Sequence, residues 1–134
     1  MNILIVCGEA SADEYGAKLA IALQKETLCD VYSIGGENLK TVTKQVLTIT
    51  HHHSLGVFSK WFNGGLKRSV LKHIRQVCTS QVIDRVIIID FPQFNFEIAR
   101  CIQSYNIPIS TFITPNFWLW KDKEKAKKLV DYSD

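Results

Sequence analysis

An aspartate closing a run of branched aliphatics is the residue best placed to do chemistry. The stretch Arg85–Asp90 reads RVIIID, and its carboxylate falls where a buried strand would reach the rim of a sheet. Apolar surroundings there raise a carboxyl pKa toward that of a useful general base. The same position suits a turn cap, because Pro92 follows closely. Gln93 and Asn95 come next and carry amides able to hydrogen-bond a polyhydroxylated ligand. A second group, Gly8, Glu9, Ser11 and Asp13, follows the strand-forming run Asn2–Val6. Glycine allows close backbone approach, and the helix N-terminus just beyond suits phosphate or sugar hydroxyls. A strand-to-helix turn capped by Ser11 or Asp13 accounts for the same residues without a ligand.

Phe117, Trp118 and Trp120 form a third group, with faces that stack on sugar rings or cover acyl chains when they line a crevice. Between residues 55 and 75, Val57, Phe58, Trp61, Phe62 and Leu66 interleave with Lys60, Lys67, Arg68, Lys72 and Arg75. An apolar surface rimmed by cations fits peripheral contact with anionic lipid. An amphipathic helix packing on a sheet fits equally well. His51, His52 and His53 point in different directions on any regular element, so no metal is expected. Cys7, Cys29, Cys78 and Cys101 lack metal-ligand spacing and read as small buried hydrophobes of a reducing cytosol.

The elements that must position these groups follow from pattern. A chain of 134 residues with 46% apolar and 22% charged residues is one soluble globular domain's worth. The net charge of +3 does not argue for nucleic acid, and no recognised RNA motif is present. No apolar run is long enough to span a membrane. The continuous β-branched runs at 2–6 and 85–90 suit strands covered on both faces. Further strands are predicted at 30–34, 46–49 and 108–113. The spacing predicts a helix ending near 25–27 with Tyr15, Leu19, Ala22 and Leu23 on its apolar face. A second is predicted over 66–78 with Leu66, Val70, Ile74 and Val77 inward, and others over 96–104 and 121–132. Strands alternating with helices predict an α/β, Rossmann-like parallel sheet with helices on both faces. Its ligand crevice lies at the carboxyl ends of the strands, where all three groups fall. The opening loop is neither G-x-G-x-x-G nor a P-loop, so no dinucleotide cofactor is expected.

With these pieces in place, the sequence resembles the N-terminal domain of the bacterial lipid-A-disaccharide synthase family. The matching segments are GEASADEYGAKLAIAL, IGGENL, SLGVF, IIIDFPQFNFEIAR and ITPNFWLWKDKEKAKKL, in the family's order and over most of the chain. The resemblance implies the first half of a GT-B type inverting glycosyltransferase built from two Rossmann-like domains. The implied reaction transfers 2,3-diacylglucosamine from UDP-2,3-diacylglucosamine to 2,3-diacylglucosamine 1-phosphate, giving the β-1,6 disaccharide of lipid A. It makes Asp90 the general base for the acceptor 6-hydroxyl. Gly8, Glu9, Ser11, Asp13, Gln93, Asn95, Trp118 and Trp120 become substrate contacts. Val57, Phe58, Trp61, Phe62, Leu66, Lys67 and Arg68 become a contact with the inner-membrane surface, in a cytoplasmic, peripheral enzyme without metal or other cofactor. A homo-oligomer is compatible with it.

Two positions depart from the family pattern. Ala12 stands where many relatives have glycine, at a cost of about 1 kcal/mol if φ is positive there and none if it is negative. Gln93 stands where relatives often carry a second acid, which leaves Asp90 as the sole carboxylate of the loop. Residues 1–134 are expected to form a single N-terminal, acceptor-binding domain, with a UDP-binding domain absent. A non-catalytic Rossmann-like module binding a lipid or a partner is the alternative.

Overall fold

The computed structural model describes residues 1–49, 64–89 and 94–112. Five strands form one parallel sheet: β1 (Asn2–Cys7), β2 (Asp30–Gly35), β3 (Lys44–Thr48), β4 (Arg85–Ile89) and β5 (Ile109–Phe112), in the order β3-β2-β1-β4-β5. Four helices connect or flank them among the described residues: α1 (Ala10–Glu26), α2 (Glu37–Val42), α3 (Gly65–Ser80) and α4 (Asn95–Gln103).

The expected parallel sheet with helices on both faces is present, and the aliphatic runs explain why. Successive strand residues point to opposite faces, and in β1 both sets are buried. Ile3, Ile5 and Cys7 join Val31, Ile87 and Ile89 beneath Ala12, Ala20 and Leu39 of α1 and α2. Leu4 and Val6 join Ile34, Val86, Ile88 and Ile109 beneath Val70, Ile74 and Val77 of α3 and Ile98, Ala99 and Ile102 of α4. Burial on both faces thus accounts for the uniformly apolar run of β1; in neighbouring β2 the one buried polar side chain, Ser33, is hydrogen-bonded to Thr43 and Gln45.

Helix α3 follows its predicted periodicity, with Val70, Ile74 and Val77 buried. Gly64 starts it in the left-handed region at φ 56°, a conformation that glycine adopts without strain. Helix α1 differs from expectation. Its buried positions are Ala12, Asp13, Gly16, Ala17 and Ala20, whereas Tyr15 and Ala22 are exposed. The helix lies so close to the sheet that a Cβ on Gly16 would come within 2.8 Å of Cys7 Sγ. Small side chains make the closest contact; of the expected face, Leu19 and Leu23 pack half-buried against the same core, while Tyr15 and Ala22 turn outward. Helix α2 lies in a stretch without a clear pattern. The helix expected at 121–132 lies outside the described residues.

Candidate functional site

Strands β1 and β4 are neighbours, and their register pairs Cys7 with Ile89. The carboxyl ends of β1 and β4 thus lie at adjacent points on one edge. Strand β5 ends at the same level, with Phe112 paired to Ile89. From β1 the chain passes to β2 on one side, while β4 lies on the other. In sheets of this kind such a change of direction marks the usual ligand position, at the carboxyl edge. Of the expected groups, the structure places Gly8 and Glu9 at this edge and Asn95 at the start of α4; Asp90 and Gln93, and the third group with Trp118 and Trp120, lie outside the described residues.

The opening loop divides into two parts. Gly8 is buried, Glu9 half-buried and Ser11 exposed. Glu9 occupies the N-cap of α1 with extended backbone, and its carbonyl accepts the Asp13 N–H at 2.9 Å. No side chain caps the helix from that position, so the expected cap by Ser11 or Asp13 is not what forms. Asp13 faces the other way. It is 2% exposed, and its carboxylate accepts three backbone N–H groups: Gly36 at 2.7 Å, Asn38 at 2.9 Å and Leu39 at 3.2 Å. Those donors are the otherwise unpaired amides at the start of α2. An aspartate expected to touch ligand is thereby committed to locking α2 against α1, because a buried carboxylate needs such donors. Ala12 has negative φ, since Asn106 is the sole non-glycine residue with positive φ among those described. Alanine for the family's glycine therefore costs nothing.

Asn95 stands at the start of α4, just past the connection that leaves β4. It is 1% exposed, and among the described residues neither its amide nitrogen nor its amide oxygen has a hydrogen-bond partner.

Of the residues expected at a membrane surface, Leu66, Lys67 and Arg68 are described; Val57, Phe58, Trp61 and Phe62 are not. Leu66 packs against the α3/α4 core, so it faces the sheet. Lys67 donates to Glu97 Oε1 at 2.6 Å, and its Nζ lies 5.7 Å from the Phe94 ring centroid. Arg68 is exposed. The apolar stripe of α3 is thus spent on packing, the alternative that the residues themselves had left open. Among the described residues no helix is long and apolar enough to cross a membrane. No three His, Cys, Asp or Glu side chains among them gather into a metal-sized site.

Two thiols are perturbed. Burial pushes the Cys7 thiol well above the ordinary range, with the Asp13 charge adding to it. Burial pushes Cys78 up to about 11, helped by Cys101. Both stay protonated at neutral pH and are unsuited to nucleophilic attack. The Asp13 clamp and the Lys67–Glu97 pair join residues 23 to 30 positions apart, so no local pattern announces them.

A family model for lipid-A-disaccharide synthetase matches residues 3–134. The lipid-A-disaccharide synthase of Syntrophus aciditrophicus is 34% identical over 123 residues, covering 89% of this chain and 32% of the relative. That of Geobacter sulfurreducens is 30% identical over 122 residues, covering 90% of this chain and 32% of the relative. The chain spans about a third of the length of these relatives. A crystal structure of UDP-GlcNAc 2-epimerase from Neisseria meningitidis bound to UDP-GlcNAc superposes with a TM-score of 0.62 at 15% identity, over 99% of this chain and 39% of that one. The fold is shared at that distance, and the motifs carry the rest: the chain belongs to the lipid-A-disaccharide synthetase family.

Proposed function

We propose that this chain is the acceptor-binding part of a lipid-A-disaccharide synthase. The full-length enzyme transfers 2,3-diacylglucosamine from its UDP derivative to 2,3-diacylglucosamine 1-phosphate and forms the β-1,6 linkage. Asp90 removes the proton of the acceptor 6-hydroxyl as that oxygen attacks the anomeric carbon. The C1–O bond to UDP breaks on the opposite face, which inverts an α-linked donor to a β product. UDP leaves as a stabilised anion, and one base suffices because no covalent intermediate forms. Glu9, Ser11, Gln93 and Asn95 bind sugar hydroxyls, and Trp118 and Trp120 cover the acylated sugar. Val57, Phe58, Trp61, Phe62 and Arg68 meet the inner-membrane surface, which makes the enzyme cytoplasmic and peripheral. The donor diphosphate belongs to the part of the relatives' length that these residues do not span.

The observation that carries this reading is the pairing of Cys7 with Ile89. It sets the carboxyl ends of β1 and β4, which Glu9 and Ser11 on one side and Asp90 on the other follow in sequence, next to each other where the sheet changes direction. The test uses a full-length chain in which residues 1–134 are joined to the remaining two thirds of a curated relative. Asp90→Ala is expected to lower kcat by at least about a hundred-fold, the usual worth of a positioned base. Near-normal turnover would remove Asp90 from the mechanism.

A further inference from the structure

Asp13 is the only charged side chain that is buried among the described residues. A buried carboxylate is costly unless hydrogen bonds meet it, and here three backbone groups do. Its Oδ1 accepts the N–H groups of Gly36 at 2.7 Å and Leu39 at 3.2 Å, and its Oδ2 accepts that of Asn38 at 2.9 Å. Its own N–H donates to the Glu9 carbonyl at 2.9 Å. One residue therefore joins the first turn of α1 to the first turn of α2, where β1 and β2 end.

The turn between β1 and α1 has no side-chain cap of its own. Gly8 alone separates Cys7, the last residue of β1, from Glu9, the N-cap of α1. The turn is thus fixed from two sides, by β1 through Gly8 and by α2 through Asp13. Its surroundings leave no slack. A Cβ on Gly35 would lie 2.6 Å from Leu39 Cδ1 and 3.2 Å from Asp13 Oδ1, and one on Gly16 would lie 2.8 Å from Cys7 Sγ. Packing this dense transmits a shift rather than absorbing it. Releasing the three α2 amides would let the first turn of α1 move, and Glu9 with it. Asp13 is 2% exposed and gives both oxygens to backbone donors, so its effect on a ligand passes through the turn.

We propose that Asp13 is a positioning residue for the acceptor sugar: its carboxylate, held by the start of α2, keeps Glu9 and Ser11 in place beyond the carboxyl end of β1. This rests on the reading of Glu9 and Ser11 as contacts to sugar hydroxyls. A turn already held in its binding form spares the ligand the cost of ordering it. If loss of the clamp leaves that form populated about one tenth of the time, apparent affinity falls by the same factor.

The test uses the full-length chain described above and measures kcat, acceptor KM and donor KM for Asp13→Asn, Asn38→Pro, Glu9→Ala and Ile74→Val. Urea unfolding first establishes that each variant is folded under assay conditions. Asp13→Asn keeps the shape but turns an NH2 group toward backbone donors. It is expected to raise the acceptor KM about ten-fold and to change kcat and the donor KM less than about two-fold. Asn38→Pro deletes one of the three donors in a first helical turn, where proline is tolerated. It is expected to raise the acceptor KM about three-fold, and it decides the question if Asp13→Asn does not fold. Ile74→Val trims a fully buried side chain on the other face of the sheet. It is expected to leave both KM values unchanged although it too lowers stability. Equal rises of both KM values in Asp13→Asn, or a raised acceptor KM in Ile74→Val, would overturn the proposal in favour of a general loosening of the fold. An unchanged acceptor KM in a folded Asp13→Asn would overturn it outright. Glu9→Ala separates the two readings. If it raises the acceptor KM while Asp13→Asn does not, the positioning role alone falls. If it leaves the acceptor KM unchanged, the turn does not bind the acceptor, and the positioning role falls with that reading.

Discussion

The layer of α1 and α2 and the layer of α3 and α4 cover opposite faces of one sheet by different means. Beneath α3 and α4 the contact is made by bulk: Val70, Ile74 and Val77 from one helix, Ile98 and Ile102 from the other. Beneath α1 it is made by closeness, with Ala12, Gly16 and Ala20 letting the helix approach until a single Cβ would collide. Bulk can be supplied by many residues. Closeness cannot, and it brings the Asp13 carboxylate inside, where only fixed backbone donors satisfy it. The first kind of layer is tolerant and the second is exacting. The exacting layer adjoins the turn through Gly8 and Glu9 that leads from β1 into α1.

The largest effect is expected on the tolerant face. Ile74→Ala removes a fully buried side chain and should destabilise by about 4 kcal/mol. Ile74→Leu keeps the volume and should cost less than about 1.5 kcal/mol. Urea unfolding with an unchanged m-value checks both. A leucine variant as damaged as the alanine one would break the comparison, because that face would then be exacting too.

Asp13→Ala comes next. It leaves the amides of Gly36, Asn38 and Leu39 without their acceptor and should cost about 3 kcal/mol, since bonds to a charged group are the strong ones. Asp13→Asn is nearly isosteric but presents an NH2 group to backbone donors, so it should recover only part of the loss. Equal stability of Asp13→Asn and the wild type would show that shape alone matters there.

The same contrast decides what the sequence reveals. The strands were legible because burial on both faces demands unbroken aliphatic runs, as in Ile3–Val6 and Val86–Ile89. Helix α3 was legible because bulky residues repeat at helical spacing. The face of α1 was misjudged by following Tyr15 and Ala22, both exposed; the true stripe of alanine and glycine carries little hydropathy. Helix α2 went unread because it is six residues long, buries one leucine and depends on a carboxylate far away in sequence. At the site, the adjacency of the ends of β1 and β4 followed from the alternation of strands and helices. The Asp13 clamp and the Lys67–Glu97 pair did not, because each is set by a partner on another element.

The two cysteines that carry raised pKa values lie one on each face, and they give the finest test. Cys7 belongs to the α1 face and Cys78 to the α3/α4 face. Both thiols titrate higher in the folded chain than the ordinary value of 9.0, chiefly through burial. An acid with a raised folded pKa keeps its proton where the unfolded chain has released it. Its stabilising contribution is complete below pH 9 and falls as pH rises through the window up to the folded pKa. For Cys78 that window closes at about 11, whereas for Cys7 it extends further. Exposed Lys18 and Lys44 are also raised, by Glu14 and Asp30, from 10.5, so they steepen the decline only near the top of the range. They are common to every variant and cancel in differences. The urea midpoint should be flat between about pH 7 and 8 and decline from about pH 9 upward. Cys78→Ala should flatten that decline up to about pH 11 and leave it unchanged beyond. Cys7→Ala should flatten it throughout, because the close-packed face admits no water to the thiolate. If the two alanine variants give the same pH profile, the faces are equally permeable and the distinction drawn from Gly16 fails.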